Sequence, residues 1–330
     1  MSRSDAERIK QDHGRHRVLA GLAMLLLVLL LASLLIGDGI LALPDRLILL
    51  QIRLPRTLLG ALVGGGLGLS GAALQGALRN PLADPGLLGI TGTAGLGAAV
   101  TFYWGLAAHF PPALPIGGLA GAAIGAIFLL TFAGRAPSGP SLILAGIAVS
   151  ALSAALLALA LSLAPNPFAL AEITFWLLGG VNDRSLGQVA LAAPPIVLGM
   201  AILLRLGPGL DALSLGEDTA ASLGVPVSRT LRLAAAGTAL AAGAGAAVAG
   251  GIGFVGLVVP HLLRPLLGQR PAALLPASLL AGAALLLAAD LLVRLAPLIL
   301  PLSQPLPLGV LTALLGAPFV VAIARKMPLP

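Results

Sequence analysis

The chain has 330 residues, of which 58% are hydrophobic and only 9% charged, and its formal net charge is +7. Soluble globular domains carry about 25% charged residues, so this composition excludes an ordinary soluble protein. The sequence has no cysteine, which excludes disulfides and thiolate metal sites. Apolar runs such as residues 18–36 and 141–163 reach the length of about 20 residues that a bilayer-spanning helix requires. Because the period-2 alternation of a β-barrel is missing, we predict an all-α polytopic membrane protein.

About ten membrane-spanning helices are predicted from apolar runs and from the Gly and Pro residues that interrupt them. Residues 1–17 form a basic leader, and residues 18–326 are predicted to be one transmembrane domain. The leader is too charged, and the apolar run after it too long, for a cleaved signal peptide, so we expect a retained first span. The predicted spans are 18–36, 57–78, 87–105, 114–133, 141–163, 188–206, 230–250, 252–268, 274–295 and 307–324.

The basic residues predict the orientation of the chain. With the N-terminus in the cytoplasm, 14 of the 19 Lys and Arg residues fall on the cytoplasmic side. Basic residues favour that side, so both termini are predicted to be cytoplasmic. The five on the other side are Arg46, Arg53, Arg56, Arg184 and Arg294. A nucleic-acid partner would require a clustered basic face, which is not visible, so the net charge reflects topology.

The most informative stretch surrounds the second predicted span. Residues 53–56 place two arginines at one membrane face, and residues 79–85 form a polar turn broken by proline at the other. Between them small residues recur every fourth position, which lets helix backbones approach closely in lipid. The members of this ridge are Gly60, Gly64, Gly68, Ala72 and Gly76.

Residues 206–228 are the one long polar segment within the membrane region, and they are predicted to be cytoplasmic. Ser214 and Glu217 have the spacing of a capping box, and Gly224 followed by Pro226 is typical of a helix end. We therefore predict a short helix at about 215–223 outside the bilayer. From the residues alone, this helix is either a stable connector or a coupling helix that docks on a partner.

Several motifs stand in the order in which FecCD-type permeases carry them. The chain resembles that family, the membrane subunits of ABC importers for iron-siderophores, haem and cobalamin, from about residue 44 to 325. Two positions depart from the family pattern, since Gly180 replaces a serine and Pro305 replaces a glutamate. The similar segments are Arg53–Arg56 with Arg79–Pro85, Phe175–Gly180, Gly216–Gly224, Gly253–Arg264, Ala289–Arg294 and Pro307–Phe319.

The resemblance implies a type II importer permease in a bacterial inner membrane. It implies a homodimer surrounded by lipid, with two ATP-binding subunits on the cytoplasmic face and a substrate-binding protein outside. An iron(III)-siderophore is the first expected cargo, and haem or cobalamin is the alternative. A P-loop needs a lysine in G-x-x-x-x-G-K-[ST], and the two lysines, Lys10 and Lys326, lie in no such string. We therefore expect no catalytic activity and no cofactor on this chain, with ATP and magnesium held by a partner ATPase.

The resemblance also assigns candidate site residues. The coupling residues are Gly216, Glu217, Ala220, Leu223 and Gly224. The residues expected to dock the binding protein are Arg53, Arg56 and Arg294, and those expected to form the cytoplasmic gate are Asn80, Leu82, Gly139 and Pro140. From spacing alone, Asp290 and Arg294 are predicted to pair on one helix face, and no pair of histidines has metal-ligand spacing.

Two other classes of function remain as remote alternatives. The string Gly68-Leu69-Ser70-Gly71 is like that of a rhomboid-type intramembrane protease, for which His261 would be the base. A secondary transporter would place carboxylates near the membrane midplane. Almost all of the 12 acidic residues instead fall in tails, loops or span ends, so an ion-coupling site is not evident.

Overall fold

The computed structural model describes residues 3–37, 45–106, 110, 112–164, 166–299 and 306–324, and its regular elements there are helices. Within these ranges, seven helices are long and apolar enough to cross a membrane. The helices are α1 (Arg3–Leu35), α2 (Arg46–Ala77), α3 (Ile90–Tyr103), α4 (Ala113–Phe132), α5 (Gly139–Ser162), α6 (Pro167–Leu177), α7 (Leu186–Leu204), α8 (Gly207–Leu213), α9 (Glu217–Ser222), α10 (Val227–Ala249), α11 (Val255–Leu267), α12 (Pro271–Leu295) and α13 (Leu308–Ala324).

The predicted all-α membrane fold is confirmed, and each of the ten predicted spans corresponds to a helix. Seven are the long helices, and the spans 87–105, 252–268 and 307–324 correspond to the shorter α3, α11 and α13. The helix α1 begins inside the predicted leader. The short helix α6 was not predicted; it begins where the Asn166 side chain accepts a hydrogen bond from the Ala169 amide at 2.9 Å. The family departure at Pro305 lies outside the described residues.

The start of the second span was predicted at residue 57, and this boundary is wrong. The helix α2 begins at Arg46 and passes through a π-helical turn at Leu49–Arg53 before Pro55. Proline has no amide hydrogen to donate to the preceding turn. The wider π turn accommodates that lost hydrogen bond without ending the helix. Arg53 and Arg56 therefore belong to one continuous helix rather than to a loop before it.

The small-residue ridge of α2 packs directly on the backbone of α12. A Cβ atom added to Gly64 would collide with the carbonyl oxygen of Gly282, and one added to Gly68 would collide with that of Ser278. The same holds in reverse for a Cβ on Gly282 and the backbone of Gly64. The packing role predicted for these small residues is confirmed, and α2 with α12 forms the centre of the buried core.

The cytoplasmic loop contains two short helices, α8 and α9, where one was predicted. The capping box is wrong, because Gly216 precedes α9 with φ 112° and no side chain caps that helix. The Ser214 hydroxyl instead donates to the carbonyl of Asp211 at 2.6 Å, at the end of α8. Gly224 has φ +81°, as expected of a glycine that ends a helix.

Candidate functional site

The N-terminus of α5 is held by side chains from two parts of the chain. Ser138 and Ser141 form a reciprocal capping box, with N···O distances of 3.4 and 3.0 Å. The amide of Gly139 donates a hydrogen bond of 3.0 Å to Glu217 Oε1, although 78 residues separate them in sequence. The first residue of α9 is thereby joined to the first residue of α5, in what we call the Glu217 contact.

The Glu217 contact places a carboxylate where the partial positive charge of the α5 dipole lies. Such a charge near a helix N-terminus stabilises by about 0.3–1 kcal/mol, and by up to about 2 kcal/mol when partly buried. Gly139 is buried and Glu217 is half-buried. The residue predicted for coupling and the residue predicted for the gate are therefore in direct contact, a link that the local spacing of Glu217 did not reveal.

The end of α2 lies beside the same contact. A Cβ atom on Gly139 would be 4.0 Å from the Cα atom of Leu78, the last residue before the polar turn. In that turn Asn80 Oδ1 accepts a hydrogen bond from the Leu82 amide at 2.9 Å. Arg79 has φ 48°, a left-handed conformation that few non-glycine residues adopt. The predicted gate residues Asn80, Leu82 and Gly139 are thus grouped at one end of the bundle, and Pro140 beside them is exposed.

We call residues 215–223, which include α9, the coupling segment, and its two faces differ in exposure. Ala220 is fully buried against the protein. Leu215 and Leu223 are 63% and 64% exposed. Two exposed leucines on either side of a short helix form an apolar surface suited to a partner protein. Leu215 was missed by the sequence reasoning, because one leucine among many in an apolar chain carries no signal.

At the predicted outer face, Asp290 binds two arginines, and with Arg53 these residues form what we call the outer arginine cluster. Arg56 Nε lies 2.9 and 3.1 Å from the two carboxylate oxygens, and its Nη2 lies 2.8 Å from Oδ1. Arg294 Nε donates to Oδ2 at 2.9 Å, which confirms the predicted pair on one helix face. Arg56 and Arg294 thus share the carboxylate of Asp290.

The same arginines hold the C-terminal end of α1. Arg294 Nη1 donates to the carbonyl oxygens of Ser33 at 2.7 Å and Ile36 at 3.0 Å. Arg53 Nη1 donates to those of residues 34 and 35, at 2.9 and 2.7 Å. Cationic side chains favour the negative end of a helix. Arg294, expected to dock the binding protein, is buried to 5% exposure, whereas the Arg56 side chain keeps 16%.

The described residues do not support a protease site. Ser70 is fully buried, and its hydroxyl has no hydrogen-bond partner within the described part of the chain. His261 Nε2 lies 3.0 Å from Arg264 Nη1, and Nδ1 lies 2.8 Å from the Leu257 carbonyl. Because arginine only donates, Nε2 must accept and Nδ1 must carry the proton. The lone pair that a catalytic base needs is therefore already engaged.

The structure also gives no ion-coupling or metal site among the residues it describes. The buried carboxylate of Asp290 is already held by two arginines. Within the described ranges, three or more His, Cys, Asp or Glu side chains do not gather in any arrangement that would hold a metal ion. These observations leave the Glu217 contact, the coupling segment and the outer arginine cluster as the candidate functional features.

Sequence comparison shows which known proteins the chain is similar to. The family model of the FecCD transport family matches residues 19–326. The vitamin B12 import system permease protein BtuC of Citrobacter koseri is 38% identical over 323 residues, which is 96% of each chain. The permease protein YvrB of Bacillus subtilis, described as an uncharacterized ABC transporter permease, is 39% identical over 84% of this chain and 79% of its own.

Structural comparison also finds an ABC transporter. A solved structure, described as an inward-facing conformation of a transporter assigned to the metal-chelate type of ABC transporter, superimposes with a TM-score of 0.83. The two sequences are 32% identical, and the match covers 95% of this chain and 100% of the other.

Proposed function

The chain belongs to the FecCD transport family and is the permease of an ABC importer, and from this premise we propose that its cargo is an iron(III)-siderophore-type metal chelate. The structural neighbour of metal-chelate type, which covers nearly the whole chain, supports this cargo. The vitamin B12 permeases among the relatives favour a second candidate, cobalamin. Haem is the remaining alternative within the family.

The proposed assembly is a homodimer in the bacterial inner membrane with both termini in the cytoplasm. Two ATP-binding subunits dock on the cytoplasmic face, and a substrate-binding protein docks on the outer face. The exposed Leu215 and Leu223 support the first docking site, since a partner that covers them buries apolar surface. ATP and magnesium remain on the partner, because this sequence carries no P-loop lysine.

The Glu217 contact is the observation that carries the proposed mechanism. When the ATPases close, they move the coupling segment, and Glu217 moves with it. Its hydrogen bond to the Gly139 amide passes the displacement to the N-terminus of α5. There Gly139, Pro140, Asn80 and Leu82 form the cytoplasmic gate, which opens or closes the path of the chelate.

At the outer face, Arg53 and Arg56 are proposed to receive acidic side chains from the binding protein. In the outer arginine cluster, the guanidinium groups of Arg56 and Arg294 share the carboxylate of Asp290. Arg56 is its partly exposed member, and a guanidinium binds a carboxylate through two parallel hydrogen bonds. Arg294, proposed from the sequence for the same docking, is buried and would act by positioning Asp290 and thus Arg56.

Reconstitution of the full complex in proteoliposomes tests this function. The permease, its ATPase and its binding protein should take up a ferric siderophore and hydrolyse ATP faster in its presence. Haem and cyanocobalamin are the competing cargoes in parallel assays. Uptake of cyanocobalamin without uptake of any ferric siderophore would replace the first candidate by the second. A complex that hydrolyses ATP but imports none of the three would contradict the cargo proposal.

A further inference from the structure

A cavity of about 300 Å³, lined by both polar and apolar residues, lies between α2, α11 and α12 at their predicted cytoplasmic ends. It extends from Arg79, just past the end of α2, to Ala72 within that helix. Seven residues of helix rise by about 10 Å, so the cavity reaches well below the surface. Ser214, next to the coupling segment, also lines it. Two arginines, Arg79 and Arg264, are among the residues that line it.

The charges around this cavity do not balance. Arg79 and Arg264 line it, and none of its lining residues is acidic. Arg264 binds two neutral groups, Gln75 Oε1 at 2.6 Å and His261 Nε2 at 3.0 Å. Its Nε is buried without a partner within the described part of the chain. Among the described residues the half-buried charge of Arg264 has no counter-charge, which costs free energy. An anion bound beside Arg264 would therefore stabilise this site.

The backbone conformation of Arg79 is a second observation that favours anion binding in this cavity. Arg79 adopts a left-handed conformation with φ 48°, which costs a non-glycine residue free energy. Its Nη1 lies 3.7 Å from where a Cβ atom of Gly216 would be, so the side chain reaches toward the coupling segment. Among the described residues Arg79 makes no ion pair, in contrast to Arg270, which pairs with Asp211 on the same side. Strained backbone positions cluster at functional sites, and this one places a cation at the cavity.

We propose that this cavity binds a phosphate-type oxyanion between Arg79 and Arg264. Guanidinium groups are the preferred protein ligands of phosphate because several N–H groups face its oxygens at once. The amide of Gln75 and the hydroxyl of Ser214 line the same cavity and supply neutral hydrogen-bonding groups. The occupant is either free phosphate from the cytoplasm or the headgroup phosphate of an inner-leaflet lipid. When bound, it links the end of α2 to α11 beside the coupling segment.

Binding of inorganic phosphate to the full-length permease in a maltoside detergent, which carries no phosphate, tests this proposal. Calorimetric titration should show saturable binding to the wild type. Arg79→Gln should bind about tenfold more weakly or worse, because a hydrogen bond to a charged group is lost. The left-handed backbone accepts glutamine as readily as arginine, and Arg79 anchors no other element. Arg205→Gln is the matched control, an exposed arginine on the same face outside the cavity.

A second arm separates the two sources of phosphate. Short-chain phosphatidylglycerol is added in place of phosphate, with diacylglycerol as the control that lacks the headgroup. Tight binding of the lipid with weak binding of free phosphate assigns the site to a headgroup, and the reverse assigns it to a cytoplasmic anion. Equal binding by Arg79→Gln and Arg205→Gln, or no anion binding by the wild type, overturns the proposal. Because the readout is binding, the result does not depend on the identity of the transported cargo.

Discussion

The outer arginine cluster and the Glu217 contact join distant parts of the chain by different means. In the cluster, Asp290 and Arg294 are at most 5% exposed, and several hydrogen bonds tie α1, α2 and α12 together. In the contact, one hydrogen bond of 3.0 Å joins α9 to α5. A hydrogen bond to a charged group contributes about 1.5–3 kcal/mol, whereas breaking a buried ion pair costs about 3–5 kcal/mol. From this comparison we expect the outer end to stay fixed and the coupling end to move.

The largest effect is expected from Asp290→Asn, which keeps the shape of the side chain but removes its charge. Two buried or partly buried guanidinium groups would then lose the negative charge of Asp290, so the free energy of unfolding should fall by about 3–5 kcal/mol. The melting temperature of the purified permease measures this. Asp211→Asn is the control, because its partner Arg270 is 80% exposed and such pairs contribute at most about 1 kcal/mol. Equal stability of the two variants would remove the distinction between a fixed and a movable end.

Glu217→Ala should reduce transport more strongly than it reduces folding stability. It removes the acceptor of the Gly139 amide, so uptake per ATP hydrolysed should fall about tenfold or more, with a loss of about 1.5–3 kcal/mol in folding stability. The ratio of uptake to ATP hydrolysis in proteoliposomes is the measurement. Asp218→Ala is the matched control, since this neighbouring residue carries the same charge and is exposed. An unchanged ratio in Glu217→Ala would show that the gate receives its movement by another route.

Arg56→Gln should weaken docking of the binding protein by about tenfold, because a charge pair at an interface is lost. The docking affinity of the wild type should also fall as salt is raised. A titration of the permease complex with its binding protein at low and high salt measures both. Arg46→Gln, which changes an exposed arginine at the same predicted face, serves as the control. If both variants lose affinity equally, docking would depend on the general positive charge of this face, and Arg56 would have no specific role in it.

The smallest effect concerns Asp84 in the turn after α2. Burial raises the pKa of this carboxyl above its usual 3.8, and its hydrogen bond from the Gly86 amide opposes that rise. A group that binds protons more tightly when folded makes the protein less stable as pH rises through this range. Asp84→Asn keeps an acceptor for Gly86, so it should flatten the fall in melting temperature above pH 4 and change it little at lower pH. The same slope in both proteins would show that other groups cause it.

Local relations were predictable from the sequence, and distant ones were not. Asp290 and Arg294 are four residues apart, and their pair was predicted correctly. Arg56 binds the same carboxylate from 234 residues away in sequence, and this contact was not predicted. Glu217 was assigned to a cap at its own helix, but its carboxylate serves α5 instead. Spacing rules describe one helix at a time, whereas the candidate site depends on which helix ends meet.

The same reliance on local patterns explains which helix boundaries were predicted correctly and which were not. Apolar runs located the long helices well, because about 20 apolar residues are needed wherever a helix crosses a bilayer. The start of α2 was misplaced because the apolar span was counted from residue 57, whereas the helix continues back through the π turn at Leu49–Arg53. The short α6 was overlooked because eleven residues fall below the length of a span.

The close contact between α2 and α12 limits how the molecule can change shape. At Gly64 and Gly68 the two backbones meet with no side chain between them. Sliding one helix by a fraction of a turn would bring bulkier residues, such as Val63 or Leu67, against the carbonyl groups of its neighbour. The two helices must therefore travel as one rigid body through each import cycle, and the changes that admit and release cargo must take place in the helices around them.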